Sequence, residues 1–68
     1  MVTIAELRAR NGKMTQSKLA EELGVSVNSV THWEKDIYSI SAPNLKKLAV
    51  YFNVSADALL GISKKISA

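Results

Sequence analysis

The feature that most constrains the fold is a helix-start pattern that occurs five times in 68 residues. In each copy an apolar residue precedes a serine or threonine, and a second apolar residue lies five positions after the first. This is the arrangement of a hydrophobic staple, in which the serine or threonine is the N-cap of a helix. Each hydroxyl is expected to accept a hydrogen bond from a first-turn amide. The copies are Val2-Thr3 with Leu7, Met14-Thr15 with Leu19, Val25-Ser26 with Val30, Ile40-Ser41 with Leu45, and Val54-Ser55 with Leu59.

Helix-stop residues follow four of these starts, and they divide the chain into short helices. The stops are Asn11-Gly12, Gly24, Asn53 and Gly61. The third helix lacks such a stop, and Asp36 with residues 37–40 is expected to form its exit loop. Together the signals predict helices near residues 4–10, 16–23, 27–35, 42–52 and 56–60, and no segment alternates like a strand. We therefore expect an all-α, compact five-helix domain at residues 1–61, followed at 62–68 by a polar tail or the start of a linker.

The composition excludes several classes of protein. Hydrophobic residues make up 47% of the chain, which is typical of a globular domain. The chain has no cysteine and a single histidine, His32, so we expect neither a metal site nor a cofactor. We do not expect an enzyme, because the sequence contains no thiol, no glycine-rich phosphate loop and no paired-carboxylate pattern. No apolar run approaches the roughly 20 residues that cross a bilayer, and no signal peptide opens the chain, so a cytoplasmic location is expected.

The net charge is +3, from nine lysines and arginines against six acidic residues. Lys64 and Lys65 lie at the end of the chain, so residues 1–61 carry seven positive and six negative side chains, a net charge of +1. Charge alone is therefore weak evidence for a nucleic-acid partner, and the spacing of the central residues is more informative.

The second and third predicted helices are joined by a very short connection, which is typical of a helix-turn-helix. Gly24 can adopt the positive φ that a tight turn requires, and Ala20 is small where two helices must approach closely. The residues expected in the core of this helix pair are Leu19, Ala20, Leu23, Val25, Val30 and Trp33.

The opposite face of the third helix is expected to carry uncharged side chains suited to base edges. Asparagine can bond adenine through two hydrogen bonds, threonine and valine can contact a thymine methyl, and histidine can donate or accept. An isolated polar residue is more often just a solvated surface group, but an exposed valine on the second helix of a helix-turn-helix favours DNA contact. The candidate base contacts are Ser26, Val27, Asn28, Thr31 and His32.

Contacts to DNA phosphates are expected from residues that flank this helix pair. Gln16 and Ser17 lie at the start of the second helix, where free amides and the helix dipole favour an anion. Lys13, Lys18 and Lys35 flank the pair and can neutralise phosphates, although each taken singly is equally well explained as a solvated lysine. Their position around one face favours a phosphate clamp.

Two stretches of the sequence resemble the phage repressor/Cro superfamily, often called the XRE family. The first is TQSKLAEELGVS at 15–26, followed by VTHWEK at 30–35, and the second is NLKKLAVYFNVS at 44–55, ending in LLG at 59–61. The resemblance covers about residues 3–61. It implies a lambda-repressor-like domain, prokaryotic or phage-encoded and nucleoid-associated, that places its third helix in the major groove. It also implies a dimer that binds a roughly palindromic operator and represses transcription.

The resemblance further implies roles for single residues. The position matching Gln16 contacts a phosphate, and the candidate base contacts named above match positions that face the bases. Glu34 matches a glutamate that often pairs with an arginine of the first helix, for which Arg8 is the first candidate and Arg10 the second.

The chain departs from the family pattern at three places. The loop at residues 11–14 is one residue longer than usual, which blurs the choice of arginine. Asp36 stands where a glycine is common, which puts DNA contacts from residues 36–39 in doubt. Ile40 stands where a proline is usual.

Two questions stay open at this point. The first is the function, because the same fold also serves as a protein-interaction module, antitoxin-like or an anti-repressor target, with DNA binding secondary. The second is whether the chain is a complete Cro-sized regulator or the N-terminal domain of a longer repressor.

A homodimer is expected to form through the end of the fourth and fifth helices. Apolar residues of these helices must remain partly exposed in so small a domain, and an exposed apolar patch marks an interface.

Overall fold

The computed structural model describes residues 2–62, which form five α-helices and one short 3-10 turn. The elements are α1 (Ile4–Arg10), α2 (Gln16–Leu23), α3 (Val27–Lys35), the 3-10 turn (Ile37–Ser39), α4 (Ala42–Phe52) and α5 (Ala56–Leu60). No strand occurs in this part of the chain, so the predicted all-α architecture is confirmed. Apart from Ile62, the tail predicted at 62–68 lies outside the described residues.

Four of the five helices begin at a hydroxyl side chain that caps them. Each hydroxyl accepts a hydrogen bond from the backbone amide three residues further on, at 3.0–3.1 Å. These caps are Thr3, Thr15, Ser26 and Ser55. Ser41 is the exception, because its side chain makes no cap hydrogen bond. The other four caps bond the third amide of their helices, which in α4 belongs to Asn44, so Pro43 at the second position does not explain the missing bond.

This difference between caps is measurable in two serine variants. Ser55→Ala is expected to lower the free energy of unfolding by about 1 kcal/mol, because it removes the acceptor for the amide of Ala58. Ser41→Ala, the matched control, is expected to change it by less than about 0.5 kcal/mol, because no cap bond is lost. Urea denaturation of both variants gives the comparison, and equal losses would contradict the assignment of caps.

The turn between α2 and α3 depends on one glycine. Gly24 has φ 70°, in the left-handed region, and its amide donates to the carbonyl oxygens of Ala20 and Glu21. The amide of Val25 then donates to the carbonyl of Ala20 at 2.9 Å, which closes the end of α2. The chain can therefore enter α3 after a single short turn.

A single core holds the five helices together. Every helix contributes at least one side chain to it, and the buried apolar residues are Ile4, Leu7, Leu19, Ala20, Leu23, Val30, Trp33, Leu48 and Leu59. Five of the six core residues expected for the helix pair belong to this set. The sixth, Val25, is half-buried and packs against the core from the turn, where one side stays open to solvent.

The segment after α3 is more ordered than the predicted exit loop. The Asp36 carboxylate accepts a hydrogen bond from the amide of Tyr38 at 3.1 Å, and the Ser39 hydroxyl donates to the Asp36 carbonyl at 2.7 Å. The Tyr38 hydroxyl donates to the carbonyl of Leu60 at 2.7 Å, which ties the 3-10 turn to α5. The acidic residue in place of the family's glycine therefore caps a turn.

Candidate nucleic-acid interface

One face of α3 is exposed because the other face holds the helix in the core. Val30 is fully buried and Trp33 is only 5% exposed, so the side chains on the opposite side point to solvent. Val27 is 40% exposed and Thr31 is half-buried. The remaining candidate base contacts are all exposed: Ser26, Asn28 and His32. We call the five residues the α3 strip, and none of them is an acid, a lysine or an arginine.

Within this strip, Ser26 is already engaged with its own helix. Its hydroxyl accepts from the amide of Ser29 at 3.1 Å and lies 2.9 Å from the Ser29 hydroxyl oxygen. Asn28 and His32 are exposed and one helical turn apart, so they lie on the same side of α3.

A bidentate ion pair lies behind the strip, between α1 and α3. Arg8 Nε donates to Glu34 Oε2 at 2.7 Å and Arg8 Nη2 donates to Glu34 Oε1 at 3.1 Å, while Nη1 donates to the carbonyl of Met14 at 2.8 Å. The two side chains are 18% and 14% exposed. Arg10, the second candidate, lies instead near Glu6, with 3.7 Å between Nη2 and Oε2 at the surface.

Gln16 connects this ion pair to the α3 strip. Its side-chain Nε2 donates to Glu34 Oε1 at 2.9 Å, and its Oε1 accepts from the Thr31 hydroxyl at 3.1 Å. The sequence predicted a phosphate contact for Gln16 and did not indicate this bridging position. The spacing of Thr31 and Glu34 places both on one side of α3, but it does not show that Gln16 reaches them.

The network keeps Glu34 ionised. Burial raises the pKa of Glu34, but the hydrogen bonds from Arg8 and Gln16 and the positive charge of Arg8 together outweigh burial, so the net pKa lies below its ordinary value. The carboxylate is therefore a hydrogen-bond acceptor only at neutral pH.

The three candidate phosphate lysines differ in their surroundings. Lys18 Nζ lies 3.5 Å from Glu21 Oε1 and 3.6 Å from Glu22 Oε2, and the charges of these two carboxylates raise its pKa. The charge of Lys18 is thus partly offset by two carboxylates of its own helix. Lys13 and Lys35 are exposed, and Lys13 lies in a left-handed backbone conformation with φ 57°.

An open apolar groove of about 590 Å³ lies on another side of the molecule, between the end of α2 and the outer face of α4. Val50 in this groove is 71% exposed. The groove is lined by Glu22, Leu23, Pro43, Lys46, Lys47, Val50 and Tyr51.

Within residues 2–62, no group of three or more histidine and acidic side chains is placed to hold a metal ion. None of the helices in that range has the length and apolar character needed to span a bilayer.

Five short helices, with an exposed second helix in a helix-turn-helix, define a class of DNA-binding domains. The chain belongs to the helix-turn-helix family, whose model matches residues 4–59. This is the XRE-type class of transcription regulators, which bind DNA and are not enzymes, so the resemblance and the expectation of no enzymatic activity are both confirmed.

A curated relative is the HTH-type transcriptional regulator ImmR of Bacillus subtilis (strain 168). The two sequences are 37% identical over 65 residues, an alignment that covers 91% of this chain and 50% of the relative. The chain therefore spans about half the length of this relative. No solved structure matches the chain.

Proposed function

We propose that this domain binds duplex DNA sequence-specifically with α3 in the major groove, and that it represses transcription by occupying an operator. The observation that carries the proposal is the α3 strip, which presents amide, imidazole, hydroxyl and methyl groups on the second helix of a helix-turn-helix. The major groove is about 12 Å wide and admits an α-helix, and these groups match its donors, acceptors and thymine methyls. Asn28 and His32 are exposed hydrogen-bonding groups for this purpose, whereas the Ser26 hydroxyl is bonded to Ser29.

Phosphate contacts are proposed from residues that flank the strip. The first-turn amides of Gln16 and Ser17 have no acceptor within α2, because helix geometry leaves them free. Lys13 and Lys35 supply exposed charge, and Lys18 contributes less because its charge is shared with Glu21 and Glu22. The side chain of Gln16 contributes mainly by supporting α3, through its hydrogen bonds to Thr31 and Glu34.

We further propose that two copies pair through the end of the fourth and fifth helices, as expected from the sequence, at the part where α5 meets the 3-10 turn. Tyr38 is 69% exposed and Ile62 is 53% exposed, and the bond from Tyr38 to Leu60 places the 3-10 turn against α5. Exposed apolar groups gathered at one end of a domain support an interface there. Two-fold pairing would separate the recognition helices by about 34 Å, which is one turn of DNA.

The proposal predicts different effects for a base contact and a phosphate contact. Asn28→Ala is expected to weaken binding to the selected site by about 1–3 kcal/mol and to relax specificity at one base pair. Lys35→Ala is expected to weaken binding to all duplexes alike and to reduce the slope of log affinity against log salt by about one. Fluorescence anisotropy at several salt concentrations measures both effects.

Lys46→Ala is the matched control for charge, since it removes an exposed lysine from the outer face of α4. We expect it to leave the salt slope unchanged. A loss of slope as large as that of Lys35→Ala would show that general charge, and not a clamp around α3, determines the affinity.

A second candidate function is a protein-interaction module of the same fold, and the apolar groove beside Val50 favours it. Substitutions in α3 distinguish the two functions. If Asn28→Ala and Thr31→Ala leave DNA affinity intact while binding of a partner protein is lost, then the DNA-binding proposal is wrong.

A further inference from the structure

The hydrogen-bond chain that runs from Arg8 to Thr31 has only one possible direction. A guanidinium carries donors only and an ionised carboxylate carries acceptors only, so Arg8 donates to Glu34 and Glu34 cannot donate onward. Gln16 must therefore turn its NH₂ group toward Glu34, at 2.9 Å.

The orientation of the Gln16 amide in turn fixes the direction of the hydrogen bond to Thr31 in the α3 strip. The oxygen and nitrogen of an amide have nearly the same shape, so their orientation is set by the partners of the group. With its nitrogen on Glu34, Gln16 presents its oxygen to Thr31, and the Thr31 hydroxyl must donate its proton to that oxygen, at 3.1 Å. A hydroxyl has one proton, so the Thr31 oxygen keeps only lone pairs for any other partner.

We propose that Glu34, acting through Gln16, makes Thr31 an acceptor-only group that reads a base bearing an amino group in the major groove. This inference rests on the proposed DNA-binding function. Adenine N6 and cytosine N4 are donors in that groove, whereas guanine O6 and thymine O4 are acceptors. The base that faces Thr31 is therefore adenine or cytosine, and Glu34 is a positioning residue that never touches DNA.

Thr31→Val identifies the base pair concerned, because valine keeps the shape of threonine and lacks its hydroxyl. Duplexes selected by the wild-type domain are varied one position at a time, and the position at which Thr31→Val loses its preference is the one read by Thr31. Every base pair carries one amino group and one keto oxygen in the major groove, so the strand that faces Thr31 is found by replacing adenine or cytosine, one strand at a time, with purine or 2-pyrimidinone, which lack the amino group. On one strand this replacement is expected to weaken wild-type binding by at least about fivefold, the low end of the effect of a single mismatch, and to leave the binding of Thr31→Val unchanged. Wild-type binding that tolerates loss of the amino group on either strand would overturn the inference.

The double variant Arg8→Met with Glu34→Leu tests the role of Glu34. It removes the acceptor that holds the Gln16 NH₂ group at 2.9 Å, and it leaves no buried charge unpaired. Gln16 is then free to turn over, so Thr31 can donate or accept and the preference at its position should be lost. A folded double variant that keeps a preference of fivefold or more would contradict the proposal.

Gln16→Leu keeps the inference testable if the double variant fails to fold. This variant removes the connection and leaves the ion pair between Arg8 and Glu34 in place. Thr31 is then free to donate or accept, so the preference at its position should be lost. Retention of a preference of fivefold or more would show that Gln16 does not orient Thr31.

A measurement without DNA separates this inference from the proposed function. In NMR spectra of the free protein, the side-chain amide protons of Gln16 should show a weak nuclear Overhauser effect to the Thr31 methyl, and a stronger one in the double variant Arg8→Met with Glu34→Leu. A strong effect in the wild-type protein would overturn the inference whatever the DNA results are. If the amide orientation is as stated and the wild-type domain selects no duplex, then the DNA-binding proposal has failed, and with it the reading of a base by Thr31.

Discussion

Trp33→Ala is expected to lower the free energy of unfolding by about 3–5 kcal/mol, because it removes a large side chain that is only 5% exposed. Stability of roughly 0.05–0.15 kcal/mol per residue implies a total of only about 3–10 kcal/mol for a domain of this size. The variant should therefore be largely unfolded or only marginally folded at room temperature. The effect on DNA binding would follow from the loss of α3.

Circular dichroism during urea denaturation measures this effect. Val50→Ala is the control, since Val50 is apolar and helical but 71% exposed, and it should change stability by less than about 0.5 kcal/mol. A near-normal unfolding midpoint for Trp33→Ala would mean that the core is misplaced. The orientation of α3 would then be wrong too, because Val30 and Trp33 are the buried residues that turn its strip outward.

Arg8→Met is expected to lower the free energy of unfolding by about 3–5 kcal/mol at pH 7, because it leaves the Glu34 carboxylate largely buried without its cation. Gln16 remains as a donor, but it carries no charge. Replacing both partners, in Arg8→Met with Glu34→Leu, should recover most of the loss, because no buried charge is then left unpaired.

The effect of Arg8→Met should depend on pH in a defined direction. The folded-state pKa of Glu34 lies below its ordinary value, so this carboxylate stabilises the wild-type protein above the unfolded-state pKa. That contribution is lost as the pH falls through the folded-state pKa. Without Arg8, burial raises the pKa of Glu34, so the variant's deficit should be full at pH 7 and should shrink once the solution is acidic enough to protonate the carboxyl group.

Arg10→Met is the matched control, because its ion pair with Glu6 is exposed, with 3.7 Å between the charged atoms. We expect a change of less than about 1 kcal/mol. Urea denaturation at pH 7 and at acidic pH measures all of these variants. A loss for Arg8→Met that is small, or that does not change with pH, would show that the pair does not act as a buried charge pair.

The helices could be predicted from the sequence because their start and stop signals act within a few residues. A cap such as Thr15 bonds an amide three residues away, and a glycine such as Gly24 ends the helix where it stands. Prediction failed at Ser41, which has the residue type of a cap but makes no cap hydrogen bond. The 3-10 turn at Ile37–Ser39 is too short to produce a periodic pattern.

The candidate site was harder to predict than the helices. The exposure of Val27 and the burial of Trp33 follow from helical spacing. The bridge formed by Gln16 does not, because its partners Thr31 and Glu34 are 15 and 18 residues away and meet it only once α2 and α3 have packed. For Lys18 the signal was present and was not used, since Glu21 and Glu22 follow at the spacing of helical ion pairs.

The most direct test of operator binding is selection from a random duplex pool, followed by anisotropy titrations of the enriched site at several salt concentrations. The account predicts enrichment of a two-fold palindrome with half-sites about one DNA turn apart, bound tightly in the presence of competitor DNA. Weak binding that depends strongly on salt and enriches no sequence would contradict it, and would direct attention to the groove between α2 and α4.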